Sequence, residues 1–252
     1  MKKRIMIAAL LGAALFFAFE GMIKDPGLQS VFHLGAGNAP VSVVIDPGHG
    51  GIDGGAQSRG GILEKDINLQ IALQLRELAW KAGWEVKMTR EEDRGLYEEG
   101  KSSIRSKKIQ DLKARRDMIN ASGADAAVSI HLNSYPSQEV QGAQTFYSAS
   151  SPEGKQIAQR IQETIRLRLD PENERQPMSK DDIAIMKDSP LPLVLVECGF
   201  LSSDREAALL SKASYQRELA ACMFSALKEY FMETGRIVKE EMQICDSLGQ
   251  MS

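Results

Sequence analysis

Apolar positions in this chain fall into two alternating rhythms. Val43, Val44 and Ile45 form a short β-branched run of the kind that fills a covered sheet, and Asp46, Pro47 and Gly48 stop it. The rhythm then lengthens. In "EKDINLQIALQLRELAWKAG", Ile67, Ile71, Leu75 and Leu78 recur at helical spacing, and Gly83 ends the helix. "WEVKMTR" predicts a second strand, and a polar segment runs from Glu91 to Lys108. "IQDLKARRDMINASG" predicts a helix from Ile109, stopped at Gly123. "AAVSIHLNS" and "GAQTFYS" predict two more strands. "SPEGKQIAQRIQETIRLRL" predicts a helix with Ser151 as N-cap, Pro152 as first helical residue and Ile157, Ile161 and Ile165 buried. Pro171 to Lys180 reads as a polar loop. "LPLVLVECGF" is nearly all apolar from Leu191 to Val196, and a last long helix carries Leu219, Met223, Ala226 and Tyr230 at core spacing.

Strands that alternate with helices, several of them apolar throughout, predict an α/β fold. The expectation is a single three-layer domain over residues 41–236, with a mostly parallel sheet flanked by helices, and a C-terminal tail over 237–252. The N-terminus differs: "MKKR" precedes an apolar run from Ile5 to Phe19. A basic start and a short apolar core over residues 1–22 read as a signal peptide or a membrane anchor. The run is short against the ~20 residues of a span, and no small-x-small cleavage site directly follows it, so both readings stand. Residues 23–40 lack periodicity and read as a linker, with His33 an ordinary member of it. The remainder is expected to be exported across the cytoplasmic membrane, secreted or membrane-anchored.

A formal net charge of -3 gives no support for nucleic-acid binding, whose footprint is usually strongly basic. Three cysteines, Cys198, Cys222 and Cys245, form neither a disulfide framework nor a zinc-finger spacing. Cys222 lies on a core face, where free cysteine acts as a small hydrophobe.

In open α/β sheets, sites lie beyond the carboxyl ends of the strands. The first strand presents Asp46 and His49 there, the second Thr89 and Arg90, the third His131, Asn133 and Ser134, and the strand at Val194 Glu197 and Cys198. Glu64 opens the first helix. Two histidines and a carboxylate, His49, His131 and Glu64, can make a three-ligand zinc site with an open fourth position. Such a zinc lowers the pKa of a bound water to about 7. The positive end of a helix keeps Glu64 ionised, as a ligand must be. Glu197 is then placed to act as general base towards that water and to return the proton to a leaving amine. Each piece alone also has an ordinary structural reading; convergence at one sheet edge is what points to chemistry.

Other readings compete for the same residues. "GHGGIDGG" is rich in glycine, but Asp53 stands where a dinucleotide loop needs glycine or alanine, and no Gly-Lys-Ser/Thr follows. Cys198 with His131 as its base would make a cysteine-dependent hydrolase, which leaves His49 and Glu64 unexplained. A non-catalytic wall-binding module with a structural metal would need a fourth ligand. "KSSIRSKKIQDLKARR" reads by default as a solvated helix face and its preceding loop.

"VVIDPGHGG", "EKDINL", "MTREED", "SIHLNS" and "LVECGF" occur in an order that resembles the zinc-dependent N-acetylmuramoyl-L-alanine amidases of bacterial cell walls, over about Val41 to Phe231. The middle segment, Glu92 to Asn120, resembles the germination-specific subgroup that acts on the spore cortex. The resemblance implies one catalytic zinc held by His49, Glu64 and His131, with Glu197 as catalytic base. It implies cleavage of the amide between the lactyl group of muramic acid and the L-alanine of the stem peptide, a step towards muramic δ-lactam. Peptidoglycan is the implied partner, with an activating partner protein a further expectation and the space between the forespore membranes a further location. Arg90, Asn133 and Arg116 are weaker candidates for support or substrate contact. Some relatives carry an inhibitory helix over the zinc; no equivalent is evident here, although Glu91 to Ser106 is long enough to cover part of the cleft.

Overall fold

The computed structural model describes residues 39–98, 100 and 103–237. The basic-apolar N-terminal stretch, most of the linker with His33, and all of the tail but Ile237 lie outside the described residues. Among the described residues no helix is long and apolar enough to cross a membrane.

The chain builds β1 (Ser42–Pro47), α1 (Glu64–Lys81), β2 (Glu85–Met88), α2 (Ile104–Asn120), β3 (Ala126–Asn133), β4 (Gln144–Tyr147), α3 (Pro152–Arg168), β5 (Met178–Ser179), β6 (Leu193–Phe200), α4 (Asp204–Leu210) and α5 (Ala213–Glu233). One sheet of 6 strands runs in the order β2-β1-β3-β6-β4-β5. Every neighbouring pair is parallel except β4 with β6. This is the expected mostly parallel α/β domain, with a reversed pair towards one edge.

The pleat divides the strands between two layers. Val43, Ile45, Val128, Ile130, Val194 and Val196 face a large core with Ile67 and Ile71 of α1, Ile157 and Ile161 of α3, and Leu219 and Met223 of α5. Val44, Ala127, Leu193 and Leu195 face a smaller core with Ile119 of α2, Phe146 of β4, and Ile185 and Met186 from the segment before β6. Helix α3 starts as its sequence requires: Ser151 Oγ accepts from Gly154 N at 3.0 Å, with Pro152 in the first turn. Helix α2 starts earlier than the apolar rhythm indicates, because Ser103 caps it by accepting from Ser106 N at 3.2 Å. The short helix α4 is a separate element before the last helix, with Ser203 as its cap.

Above the second core, the polar row Thr89, Asp46 and Ser129 crosses three strands. Thr89 Oγ1 and Ser129 Oγ each donate to Asp46 at 2.6 Å. Arg115 of α2 reaches into the row. Its Nη1 donates to Asp46 Oδ1 at 2.9 Å and to Pro47 O at 2.7 Å, its Nη2 to His49 O, and its Nε to Asp111 at 2.6 Å. Burial works to raise the Asp46 pKa, but the Arg115 guanidinium and the two hydroxyls outweigh it and hold the carboxyl below its ordinary range. Breaking a buried pair from one side leaves an uncompensated charge.

Arg115→Met is therefore expected to cost about 3–5 kcal/mol at neutral pH, read by urea denaturation. A depressed folded-state pKa stabilises above the unfolded value and ceases to as pH falls through the folded one. The gap between wild type and variant should accordingly narrow below about pH 4. A gap that stays constant on acidification would contradict the assignment to Asp46.

Candidate metal centre

The sheet order reverses at β1, with β2 on one side and β3 on the other. That is the switch point at which α/β sheets open a crevice. Beyond β1 the chain enters a turn whose His49 has a φ of 61°, the left-handed region that costs a non-glycine residue about 1–3 kcal/mol. Arg90, 1 % exposed, braces this turn from beneath by donating to Pro47 O and Gly48 O at 3.0 Å each and to Lys65 O at 2.8 Å. The segment after β2 braces it from outside: Asp93 accepts from Gly51 N at 2.8 Å, and the Tyr97 hydroxyl accepts from Ile52 N at 3.2 Å.

Glu64, 3 % exposed, is the first residue of α1. Its Oε2 accepts from Ala56 N at 2.8 Å; its Oε1 accepts from Leu132 N at 3.0 Å and Asn68 Nδ2 at 3.2 Å. The same Oε1 lies 3.1 Å from His49 Nε2 and 3.0 Å from His131 Nδ1. Ligand atoms of the three side chains all lie within 4.8 Å of one another. Tetrahedral zinc with N/O ligands at ~2.0–2.2 Å needs its donors about 3.3 Å apart; the two Glu64–histidine spacings already stand near that value. Burial alone would raise the Glu64 pKa; His131 and His49 overcome it and hold the carboxyl well below the usual range. Burial opposes charge on His49, yet hydrogen bonds to Asp53 and Glu64 raise its pKa to about 9. Metal uptake at neutral pH would therefore release a proton from this ring.

Space for the cluster comes from missing side chains. A Cβ on Gly48 would lie 2.2 Å from His131 Cε1, and one on Gly55 would lie 2.5 Å from Glu64 Oε2 and 2.8 Å from His49 Cδ2.

Glu197 on β6 is the register partner of His131 on β3, so both project from one face of the sheet. Its Oε2 is buried and accepts no hydrogen bond. Burial, with the nearby Glu64 charge, raises its pKa above the ordinary value against the pull of His131, His49 and Lys180. Cys198 points the other way. It is 1 % exposed among Val196, Leu219 and Met223 in the large core, and burial drives its thiol pKa far up. It is neither on the face of His131 nor ionisable near neutral pH, so the cysteine-hydrolase reading fails.

The weaker candidates divide. Arg90 is a brace, held by main-chain carbonyls. Asn133 sits past an irregularity in β3 and turns its Oδ1 to Ser134 N at 2.8 Å. Arg116 is not the arginine that enters the framework; its neighbour Arg115 is. Three contributors escaped the sequence reading. Asp53 Oδ2 contacts His49 Nδ1 at 2.9 Å, Asn68 joins Glu64 Oε1 to Gly48 O, and Arg115 holds the turn. The i,i+4 spacing of Asp111 and Arg115 was the available signal for the last.

The N-acetylmuramoyl-L-alanine amidase family (Amidase_3) matches residues 43–229. The chain belongs to that family. It is 40% identical over 193 residues to the germination-specific N-acetylmuramoyl-L-alanine amidase of Bacillus subtilis, covering 77% of this chain and 81% of that protein. The CwlD amidase from Clostridioides difficile, solved in complex with the GerS lipoprotein, superposes with a TM-score of 0.74 at 40% identity, covering 76% of this chain and 98% of that one. Other amidases of the family are longer: this chain spans 55% of AmiC from Escherichia coli, at 26% identity over 79% of its own length.

Gly48→Ala tests the site without replacing a candidate ligand. The added methyl has no room beside the His131 ring, so affinity for a divalent transition metal should drop by at least tenfold, the scale of a displaced outer-shell contact. Isothermal titration gives the affinity and circular dichroism checks the fold; unchanged affinity would count against His131 as a ligand.

Proposed function

We propose that this chain is an exported, zinc-dependent peptidoglycan amidase. It hydrolyses the amide between the lactyl group of N-acetylmuramic acid and the L-alanine of the stem peptide. The observation that carries the reading is the convergence of His49, Glu64 and His131 beside an unpartnered, raised-pKa Glu197. Two imidazoles and one carboxylate match a catalytic zinc donor set, and three protein ligands leave the fourth position open, unlike a structural clip.

Zinc held by these residues supplies Lewis-acid polarisation of the scissile carbonyl and a water acidic enough to attack at neutral pH. The chain's own groups do the rest. Glu197 accepts the proton of the attacking water on its carboxylate and delivers it to the departing alanine nitrogen as the C–N bond breaks. The products are a lactyl carboxylate and a new peptide amino terminus. No hydrogen bond ties up the buried Glu197 Oε2, and the pKa that burial raises suits a group that must both take and give a proton. Asn68 and the Ala56 and Leu132 amides hold Glu64 as a preset ligand, and the braced turn presents His49.

The likeness to a germination-specific amidase supports a substrate in the spore cortex, where the product would be the peptide-free muramic acid needed for δ-lactam formation. The solved CwlD–GerS complex supports a partner protein for this chain as well. A basic-apolar start over residues 1–22 agrees with a substrate outside the cytoplasmic membrane.

Glu197→Gln should keep about one zinc per chain and lose about 10²–10⁴ in kcat, followed as release of new amino termini from cortex peptidoglycan. His131→Ala should lose both metal and activity. Wild-type activity should vanish on chelation and return with zinc. Activity that persists without metal, or in Glu197→Gln, would overturn the mechanism.

A further inference from the structure

We propose that Lys108 is a positioning residue of the metal centre, acting through Asp53 to set the direction in which His49 presents its Nε2. The inference rests on the metal reading of the site. The His49 ring lies between two carboxylates, with Nδ1 2.9 Å from Asp53 Oδ2 and Nε2 3.1 Å from Glu64 Oε1. A neutral imidazole carries one N–H and one lone pair. An acceptor fixed at Nδ1 keeps the proton there and leaves the Nε2 lone pair for a metal.

The backbone does little to aim this ring. His49 sits at a φ of 61° between Gly48 and Gly50, on a turn outside any strand or helix, with its ring edge-on to that of His131 at 5.0 Å between centroids. Asp53 supplies the aim, and its own backbone is tied down: Gly50 N donates to Asp53 O at 2.9 Å, and Asp53 N to Gly50 O at 3.1 Å. Its carboxylate still has to be turned. Oδ1 accepts from Lys108 Nζ at 2.7 Å and from Gly55 N at 3.3 Å, which leaves Oδ2 for His49. Lys108 belongs to α2, the helix whose Arg115 donates to His49 O. One helix thus holds both the backbone and, through Asp53, the ring of the same ligand. Lys108 touches no metal ligand itself, and its side chain is 49% exposed, so the ion pair contributes little to folding. Its effect belongs to the metal.

The test is zinc affinity of the full chain, by competition with a chromophoric chelator. Asp53→Ala should weaken binding about 10–100-fold and Lys108→Met about tenfold, at the low end of that range. Lys108→Arg should restore most of the loss. In an Asp53→Ala background, Lys108→Met should have no further effect, because the two act on one path. The d–d spectrum of the cobalt-loaded protein should change in Lys108→Met while its urea midpoint does not. Wild-type affinity in Lys108→Met, or an equal loss with Asp53 already removed, would overturn the proposal. A wild-type chain that shows this affinity pattern yet releases no amino termini from cortex peptidoglycan, with its partner protein present, would support the relay and refute the proposed function. A wild-type chain that binds no zinc would refute both.

Discussion

The buried contact between Arg115 and Asp46 holds the turn on which the centre depends. The strand-end histidine is strained, flanked by glycine and tied to no helix of its own, yet it must hold a ring within tenths of an ångström. The guanidinium resolves this by bonding Asp46 inside the sheet, the carbonyls of Pro47 and His49 on the turn, and Asp111 on its own helix. Arg90 repeats the device from the opposite side with Pro47 O and Gly48 O. Two buried guanidiniums are costly to desolvate, and the carbonyls of an open turn supply the acceptors that make them tolerable. The polar row in the sheet and the irregular turn above it therefore require each other.

The pleat then decides which residues are chemical. Along β6, Glu197 faces the cleft and Cys198 faces the large core; along β3, His131 faces the cleft and Leu132 the core. A shift of one residue in the β3–β6 pairing would exchange them. The apolar alternation that buries Val194, Val196 and Cys198 also delivers Glu197 opposite His131. Stability and site geometry are settled by the same register.

Much of this was readable from residue order. The β-branched runs located the central strands, the i,i+4 apolar rhythm located α1 and α3, and Ser151-Pro152 marked the start of a helix. Two histidines and two carboxylates at strand ends or a helix start identified the candidate site, and the structure brings all four together. What escaped has a weak local signal or none. The antiparallel pairing of β4 is a property of the sheet and not of "QTFY". The first turn of α2 carries no apolar periodicity, only the cap at Ser103. Arg115 and Arg116 are chemically identical neighbours, separated only by a helical rotation that turns one to Asp46. In the sequence Asp53 marks only the failure of a nucleotide loop; its contact with His49 appears once the turn closes Gly50 onto Asp53.

The three candidate ligands are not equally prepared. His131 rides on a central strand, paired on both sides, and needs only the space left by Gly48. Glu64 is anchored by two backbone amides and Asn68, so its position is set by the helix start and the sheet together. His49 lies outside any strand or helix and takes its support from Arg115 of α2, from Arg90 and from Asp53. The entropy of ordering a ligand on binding is subtracted from metal affinity, so the least prepared ligand governs how tightly the ion is held. In this fold that ligand is His49. Changes that loosen α2 should accordingly weaken the metal site before they disturb the large core, because Arg115 and Lys108 hold His49 from that helix while the large core is built without it.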